Sequence, residues 1–330
     1  MSAIENLEPA IQPAAMHPLL GRAWESTGHL RASVAGLIGF AIVLLWVVVA
    51  LFAPLLERYG SNEIVTKPLP ASWSTSNLPS GVYLASERLH RNGRSVPGYY
   101  RVNGPPSADA WLGTDDQGRD IYTRLVAGTR PVLTLPILAV LIGGSIGILL
   151  GLWAGYFGRW ADEFAMRLLD TLIAFPTILI LLLISSSLGP SRFTVVAALS
   201  VGAVIAVARI TRGLTLELRQ RNYVTAARLR GESSLYVMVR EILPNAAGPI
   251  VTDLTLRVGY AIFGLATLGF VGLGVPPPAP DWGSMVSDGR DYIISGAPWE
   301  SLFPAVAIAT LVVGLNLLVD GIREQRGKYR

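Results

Sequence analysis

The chain has 330 residues, of which 51% are hydrophobic and only 15% are charged, whereas a soluble domain carries about a quarter charged residues. The absence of cysteine excludes a disulfide framework, a thiolate metal site and a thiol nucleophile. The net charge of +4 does not indicate a nucleic-acid partner, because the arginines flank apolar segments and no aromatic residues alternate with them.

Residues 1–33 are mixed and polar and lack the basic start, apolar run and cleavage site of a secretory signal. We expect them to form a cytoplasmic tail. Residues 34–56 follow without a single charge, and roughly 20 mostly apolar residues suffice for a helix to cross a membrane. The sequence therefore predicts a first transmembrane helix that stays in place as an anchor.

Five further apolar segments follow between residues 131 and 319. They are Pro131–Gly158, residues 171–189, Phe193–Ala208 continuing as helix beyond Arg209, Val258 to about Gly274 with an upstream extension, and Leu302–Val319. The prediction is an all-α membrane protein of six transmembrane helices. Its core of five helices covers residues 131–320 and includes a connection at residues 218–247.

The orientation follows from the arginine and lysine residues of short loops, which are retained on the cytoplasmic side. The connection between the fourth and fifth spans carries Arg209, Arg212, Arg219, Arg221, Arg228, Arg230 and Arg240. The tail 321–330 is also basic, so both termini are predicted to be cytoplasmic and residues 57–130 external. That external segment is rich in arginine too, but the rule weakens for loops beyond about 60 residues.

The external segment contains Pro, Gly, Ser and Tyr and shows little apolar periodicity between Arg58 and Ala108. This composition predicts a loop domain or cap with limited regular structure.

Three features inside the spans concern helix packing. Four glycines share one face of the second span, at Gly143, Gly147, Gly151 and Gly155, and allow close approach of another span or another subunit. Pro176 predicts a bend in the third span, which either opens a passage or suits the packing. Asp253 and Arg257 are one helical turn apart, and we interpret them as a structural ion pair rather than part of a pathway.

The connection between the fourth and fifth spans reads NYVTAARLRGESSLYVMVREILPN from Asn222 to Asn245. Gly231 predicts a break between two short helices. Beyond it, one face of an amphipathic helix is predicted from Leu235, Met238, Val239 and Ile242, and Pro244 is expected to begin the next span. This pattern fits a helix-turn-helix with a small-residue surface toward the cytosol, and it fits an ordinary basic loop equally well.

A nucleotide-binding loop is not predicted. The nearest candidate, Gly321 to Lys328, has one residue too many between its glycines, and Tyr329 replaces the Ser or Thr that binds magnesium. We expect no catalytic residue, metal or cofactor in this chain.

The stretch Asn222–Asn245 resembles the EAA loop of permease subunits of binding-protein-dependent ABC importers. That loop has Glu-Ala-Ala, three further residues, Gly and a later Leu-Pro-Asn. The matching residues are Ala226, Ala227, Gly231, Leu243, Pro244 and Asn245. The chain departs at Thr225, where the family usually has Glu, and at Glu241, where this branch often has His.

Further segments resemble one branch, the C-type (second) permease subunit of dipeptide, oligopeptide and nickel importers. Trp111–Arg130 is similar to the motif before its second span, at Gly113, Thr114, Asp115, Gly118, Arg119, Asp120 and Arg124. Phe270–Met285 and Pro298–Glu324 resemble its fifth-span exit and its sixth span. Leu265 stands where the branch commonly has Glu, and the ending RGKYR is also a departure.

The resemblance implies a permease that forms half of a translocation pathway in the bacterial cytoplasmic (inner) membrane. It also implies several partners: a homologous B-type permease, two ATPase subunits that bind ATP and magnesium and contact the EAA-type loop, and an external substrate-binding protein. Peptides are the expected substrate, with nickel chelates, glutathione or opines as alternatives. A secondary carrier, for which inverted repeats and midplane charges are missing, and a structural or receptor membrane protein are the rival classes.

Overall fold

The computed structural model describes residues 34–70, 78–91 and 94–328. The predicted cytoplasmic tail 1–33 and the last two residues of the tail 321–330 lie outside the described residues. So do two short pieces of the predicted external segment, 71–77 and 92–93.

The described residues form nine α-helices and one three-stranded sheet. The helices are α1 (Val34–Leu56), α2 (Ile121–Phe157), α3 (Arg159–Ile173), α4 (Thr177–Leu188), α5 (Arg192–Leu218), α6 (Asn222–Leu229), α7 (Ser234–Phe270), α8 (Trp282–Gly289) and α9 (Trp299–Lys328). The strands are β1 (Lys67–Pro68), β2 (Val82–Arg91) and β3 (Arg94–Arg101).

Five of the described helices, α1, α2, α5, α7 and α9, are long and apolar enough to cross a membrane, and α3 with α4 makes a sixth if the pair counts as one broken span. The prediction of a helical membrane protein is confirmed, and its six spans are obtained when α3 and α4 are counted as one. The third span is not one bent helix from residue 171, however. An amphipathic α3 meets a short α4 at 85°, because Pro176 lacks an amide donor and disfavours helical backbone in the residue before it.

The second span also differs from its prediction, since α2 begins ten residues before Pro131, at Ile121. The Asp120 carboxylate accepts a hydrogen bond from the Thr123 amide (3.0 Å) and caps the helix there. Pro131 and Pro136 lie inside α2, so the prediction that the span begins at Pro131 was wrong. A long helix packed against neighbours tolerates the missing amide donors.

The sheet lies in the predicted external segment, where little regular structure was expected. Its strand order is β1–β3–β2, antiparallel throughout, with Leu84 opposite Tyr99 and Val82 opposite Arg101. Pro97 sits in the central strand beside an irregularity in the register, a place where a missing backbone donor is tolerated. Because of this interruption, the sequence does not show the regular pattern from which a strand is predicted.

The main apolar core lies where α2, α5, α7, α8 and α9 meet. Trp282 is its largest fully buried side chain, and the indole nitrogen donates to the Leu125 carbonyl (2.9 Å). Helix α1 lies at the periphery against α9. A Cβ at Gly39 would come within 2.6 Å of the Gly314 carbonyl oxygen, so close backbone approach holds this helix in place.

Two ends of the helical bundle can be distinguished. The sheet end carries the strands, α8 and the start of α2. The basic end carries α6, the start of α7 and the end of α2.

Candidate functional site

The four glycines of the predicted stripe all face α5 of the same chain. A Cβ at Gly147, Gly151 or Gly155 would lie 2.9, 2.5 or 3.0 Å from a backbone oxygen of α5, and one at Gly143 would overlap the Ser200 carbonyl. Of the two alternatives left by the sequence, another span or another subunit, the contact is therefore with another span.

At the basic end, α6 is a small amphipathic helix packed on the bundle. Val224 and Ala227 are fully buried and contact Leu152 of α2 together with Val237 and Ile242 of α7. The 218–247 segment therefore rests on two of the long helices at once.

The adjacent alanines have opposite environments. Ala227 is fully buried, whereas Ala226 is exposed, as are Thr225 and Leu229. Gly231 follows in the turn, with a φ of 82° and no atom within 4 Å of a Cβ placed there. Only Ala226 of the pair is thus available to a neighbouring protein.

The second turn of α7, Val237–Ile242, is π-helical. It brings Val237 and Ile242, five residues apart, to the same buried side, while Leu235 and Val239 are exposed. The predicted face is therefore wrong at Leu235 and Val239, whereas Met238 and Ile242 do pack in the same apolar cluster. The prediction assumed 3.6 residues per turn, and a π turn is wider.

The same turn precedes Pro244, which lies at the start of the α-helical part of α7, Leu243–Phe270, as expected, although the helix as a whole begins earlier. Helix α7 runs continuously from Ser234 through Pro244, and the Leu243 amide donates to Met238, five residues back. The Asn245 side-chain amide donates to the Glu241 carbonyl (2.7 Å), and the Glu241 carboxylate lies 3.7 Å from Arg230. A π turn relieves the clash between a proline ring and the preceding turn.

Arginine side chains fasten the 218–247 segment to the end of α2. The Arg219 guanidinium donates to the carbonyls of Gly155 (2.8 Å) and Tyr156 (3.3 Å), which satisfies C-terminal carbonyls of that helix. Arg228 stacks over the Tyr156 ring with its Cζ 4.7 Å from the ring centroid. These contacts attach α6 and the residues before it to the end of α2.

Two ion pairs connect α3 to α5. Arg212 holds Asp162 through two hydrogen bonds, one of 2.6 Å from Nη2, and Arg209 contacts Asp170. These pairs fix the amphipathic half of the broken third span against the bundle.

A cavity of about 490 Å³ opens beside the break between α3 and α4. It is lined by α2, α4, α5, α7 and the end of α3, mostly with apolar side chains, and Arg257 is its one charged lining residue. The expected ion pair is formed, with Arg257 Nη2 3.0 Å and Nε 3.2 Å from the two carboxylate oxygens of Asp253. Asp253 is buried, and Arg257 reaches the cavity.

At the sheet end, the motif before α2 is organised around Asp115. Its buried carboxylate accepts hydrogen bonds from the amides of Gln117 (2.9 Å) and Arg119 (2.8 Å), from Arg119 Nε (2.6 Å) and from Arg124 Nη1. Thr114 Oγ1 donates to the Arg101 carbonyl of β3 (2.7 Å). The motif therefore joins the sheet to the start of α2.

The two motif glycines permit these turns. Gly113 and Gly118 have φ values of 89° and 79°, which residues with a Cβ rarely adopt. Asp120 supplies the helix cap already described. All seven residues of the motif therefore lie in one folded segment at the start of α2, residues 113–124, which we call the clasp.

Sequence reasoning missed Glu300, which contacts the clasp from the first turn of α9. Its fully buried side chain accepts a hydrogen bond from the Asp116 amide (3.1 Å). The carboxylates of Asp115, Asp116 and Glu300 lie within 4.8 Å of one another, and burial raises the pKa values of Asp115 and Asp116, the latter also through repulsion by Asp115. The only signal in the sequence is an acidic residue in the first turn of an apolar span.

This acidic group is a poor place for a metal ion. Both oxygens of Asp115 are already occupied by arginine and amide donors, so it offers no open ligand. We interpret the group as a structural contact between the clasp and α9.

The family model described as binding-protein-dependent transport system inner membrane component matches residues 147–325. The chain belongs to this family. The permease is 36% identical to the dipeptide transport system permease protein DppC of Alkalihalophilus pseudofirmus, over 91% of this chain and 88% of that protein. It is also 36% identical to the di/tripeptide permease protein DppC of Pseudomonas aeruginosa, over 98% and 97% of the two chains.

A third relative is the glutathione transport system permease protein GsiD of Pectobacterium atrosepticum, 42% identical over 68% of this chain and 75% of that protein. Among solved structures, an inward-facing MetNI methionine ABC transporter is similar with a TM-score of 0.49 and 20% identity, over 62% of this chain and 95% of that one.

These matches establish that the chain is a permease component of an ABC importer. The family model covers the 218–247 segment and most of the cavity lining, whereas the sheet and the clasp precede it.

Proposed function

We propose that this permease forms half of the translocation pathway of an ATP-driven, binding-protein-dependent importer, and that a homologous B-type permease supplies the other half. One observation carries the proposal. The two helices that support α6 at the basic end, α2 and α7, also line the cavity, at Val140 and around Arg257. The surface offered to a partner and the cavity are thus parts of the same rigid elements.

In this mechanism two ATPase subunits bind ATP and magnesium and contact the exposed side of the 218–247 segment at Thr225, Ala226 and Gly231. Their closure displaces α6. The buried contacts of Val224 and Ala227 and the arginine contacts at the end of α2 carry this displacement into the long helices. Packed interfaces switch between discrete arrangements and do not deform continuously, so the displacement alters access to the cavity.

The same proposal places the basic end in the cytoplasm and the sheet end outside the bacterial inner membrane. The arginines of the 218–247 segment support this orientation through the positive-inside rule. The sheet and the clasp then face the substrate-binding protein.

Peptides are the substrate we propose, since two long alignments are to permeases named for dipeptides and di/tripeptides. Glutathione, itself a tripeptide, is a second candidate, because the relative named for glutathione transport is 42% identical. Nickel chelates and opines are further alternatives within the same family.

The decisive experiment replaces Gly231 by Trp and measures ATP hydrolysis coupled to transport in the reconstituted importer. We expect normal membrane insertion and loss of coupled hydrolysis, because the added ring has open space within this chain and meets only the ATPase. Gly296→Trp is the matched control, since Gly296 also has a positive φ (86°) and an empty surrounding but lies at the sheet end.

Normal coupled hydrolysis in Gly231→Trp would contradict the assignment of this segment. Purification of the complex without two ATPase copies would contradict the proposed composition of the importer.

A further inference from the structure

We propose that Arg257 binds a carboxylate group of the transported solute inside the cavity, and that Asp253 positions it. The pair is then part of the pathway, contrary to the purely structural role expected from the sequence. This inference rests on the proposed function and names the chemical class of solute that the pathway selects, namely small solutes with a free carboxylate.

Arg257 occupies an unusual position for a charged side chain. It lies within the predicted fifth span, roughly 20 Å along α7 from the π-helical turn at a rise of 1.5 Å per residue. Ionisable side chains inside a membrane span are costly and usually functional. Arg257 is also the one charged residue among those lining the cavity.

The two members of the ion pair are unequally exposed. The Asp253 side chain is 7% exposed, whereas that of Arg257 is 27% exposed and lines the cavity. A purely structural role would not require Arg257 to line the cavity, because apolar side chains of similar volume stabilise a buried interior at least as well as an ion pair does. The basic member of this pair is the one presented to a solute.

One edge of the Arg257 guanidinium group is available to a second carboxylate. Asp253 occupies the edge formed by Nε and Nη2. Nη1 donates to no group among the described residues, so the outer edge can bind a second carboxylate, a geometry that suits arginine particularly. Tyr260 lies beside it, with the Arg257 Cζ 5.5 Å from the ring centroid, and restricts the side chain.

Asp253 has two effects on binding. It holds the guanidinium in place and prevents an unpaired buried charge when the cavity is empty. It also weakens the attraction for an incoming carboxylate, which a translocation pathway needs because the solute must leave again.

The rest of the lining is mostly apolar, apart from the hydroxyl groups of Thr177, Tyr260 and Thr267. Ile178, Leu181, Leu199 and Phe263 offer apolar surface without hydrogen-bond donors. A cavity of about 490 Å³ is within the range for small-ligand sites. Peptides of two or three residues and glutathione differ in side chains but all carry a carboxylate.

The test compares uptake of a dipeptide with uptake of its C-terminal amide by the reconstituted importer, each rate divided by the measured loading of the binding protein. We expect the unmodified importer to prefer the free acid by about 10- to 100-fold, the usual range for a charge-assisted hydrogen bond. Asp253→Asn with Arg257→Gln removes both charges together and should abolish most of this preference.

The matched control removes the Asp170–Arg209 pair in the same way, by Asp170→Asn with Arg209→Gln, because that pair is also an Asp–Arg ion pair but does not line the cavity. It should keep the preference. A neutral Asp253–Arg257 variant that still prefers the free acid would contradict the inference, whereas absence of ATP-dependent uptake of both solutes by the unmodified importer would contradict the proposed function itself.

A second measurement avoids the binding protein. Because the chain has no cysteine, Thr267→Cys places a single thiol on the cavity wall, and its alkylation by N-ethylmaleimide can be followed in the purified complex. Millimolar dipeptide should slow alkylation and the amide should not. Equal protection by both solutes, or by neither, would overturn the inference, even if the doubly neutral variant fails to assemble.

Discussion

At the scale of single residues, buried carboxylates organise the sheet end of the molecule. Asp281 caps α8 by accepting from the Gly283 amide (3.0 Å) and also accepts from the Val275 amide (3.2 Å). Its carboxylate fits beside Gly269 and Gly274, where a Cβ would overlap it. Burial raises the pKa of Asp281 to about 6, against the opposing effect of these two amides.

This raised pKa predicts a pH-dependent stability. The folded protein retains a proton on Asp281 that the unfolded chain loses near pH 4, so this contribution is largest at low pH and decreases as the pH rises through about 6. The loss is about 3 kcal/mol between those limits. Thermal unfolding of the purified protein in detergent at pH 4.5, 5.5 and 7 should show it.

Asp281→Asn is the control for this prediction, because it removes the titration. The difference in stability between the unmodified protein and Asp281→Asn should therefore shrink from pH 4.5 to pH 7. A difference that stays constant over this range would show that Asp281 does not titrate there.

At the scale of helices, the contact between α2 and α5 depends on glycine. A methyl group at Gly151 would lie 2.5 Å from the Ala208 carbonyl oxygen, so Gly151→Ala must push the helices apart. Overpacking of this kind costs about 1–3 kcal/mol, and we expect a lower unfolding temperature in detergent.

Gly213→Ala on α5 is the matched substitution, since no atom lies within 4 Å of a Cβ at Gly213. Alanine is about 1 kcal/mol better than glycine in a helix, so this variant should be at least as stable as the unmodified protein. Equal destabilisation by both substitutions would refute close packing along the stripe.

The helices also show what the sequence could predict. Runs without charge identified the spans, and the spacing of four between glycines identified a packing face, because both signals are local properties of a helix. The partner of that face and the π turn before Pro244 are set by tertiary structure, whereas the early start of α2 follows from the local cap at Asp120. None of these can be read from a 3.6-residue period or from a proline.

For the whole molecule, the motifs around Ala226 and Asp115 were sufficient to predict the family. They were not sufficient to show which alanine is exposed, because two adjacent residues of a helix differ by about 100° in direction and only packing decides which one is buried. Glu300 was missed for a similar reason, since its buried contact with Asp116 spans most of the chain. The small sheet depends on a pairing interrupted at Pro97.

The central claim is that the exposed side of the 218–247 segment contacts the ATPase subunits. Its most direct test is photo-crosslinking in the assembled importer, with a benzophenone maleimide attached to a single cysteine at Ala226 or, for comparison, at Ala227. The chain offers no competing thiol. We predict a crosslink between this permease and an ATPase subunit from Ala226→Cys and little labelling at the buried Ala227→Cys. Crosslinking to the ATPase from neither position, or equally from both, would contradict the account.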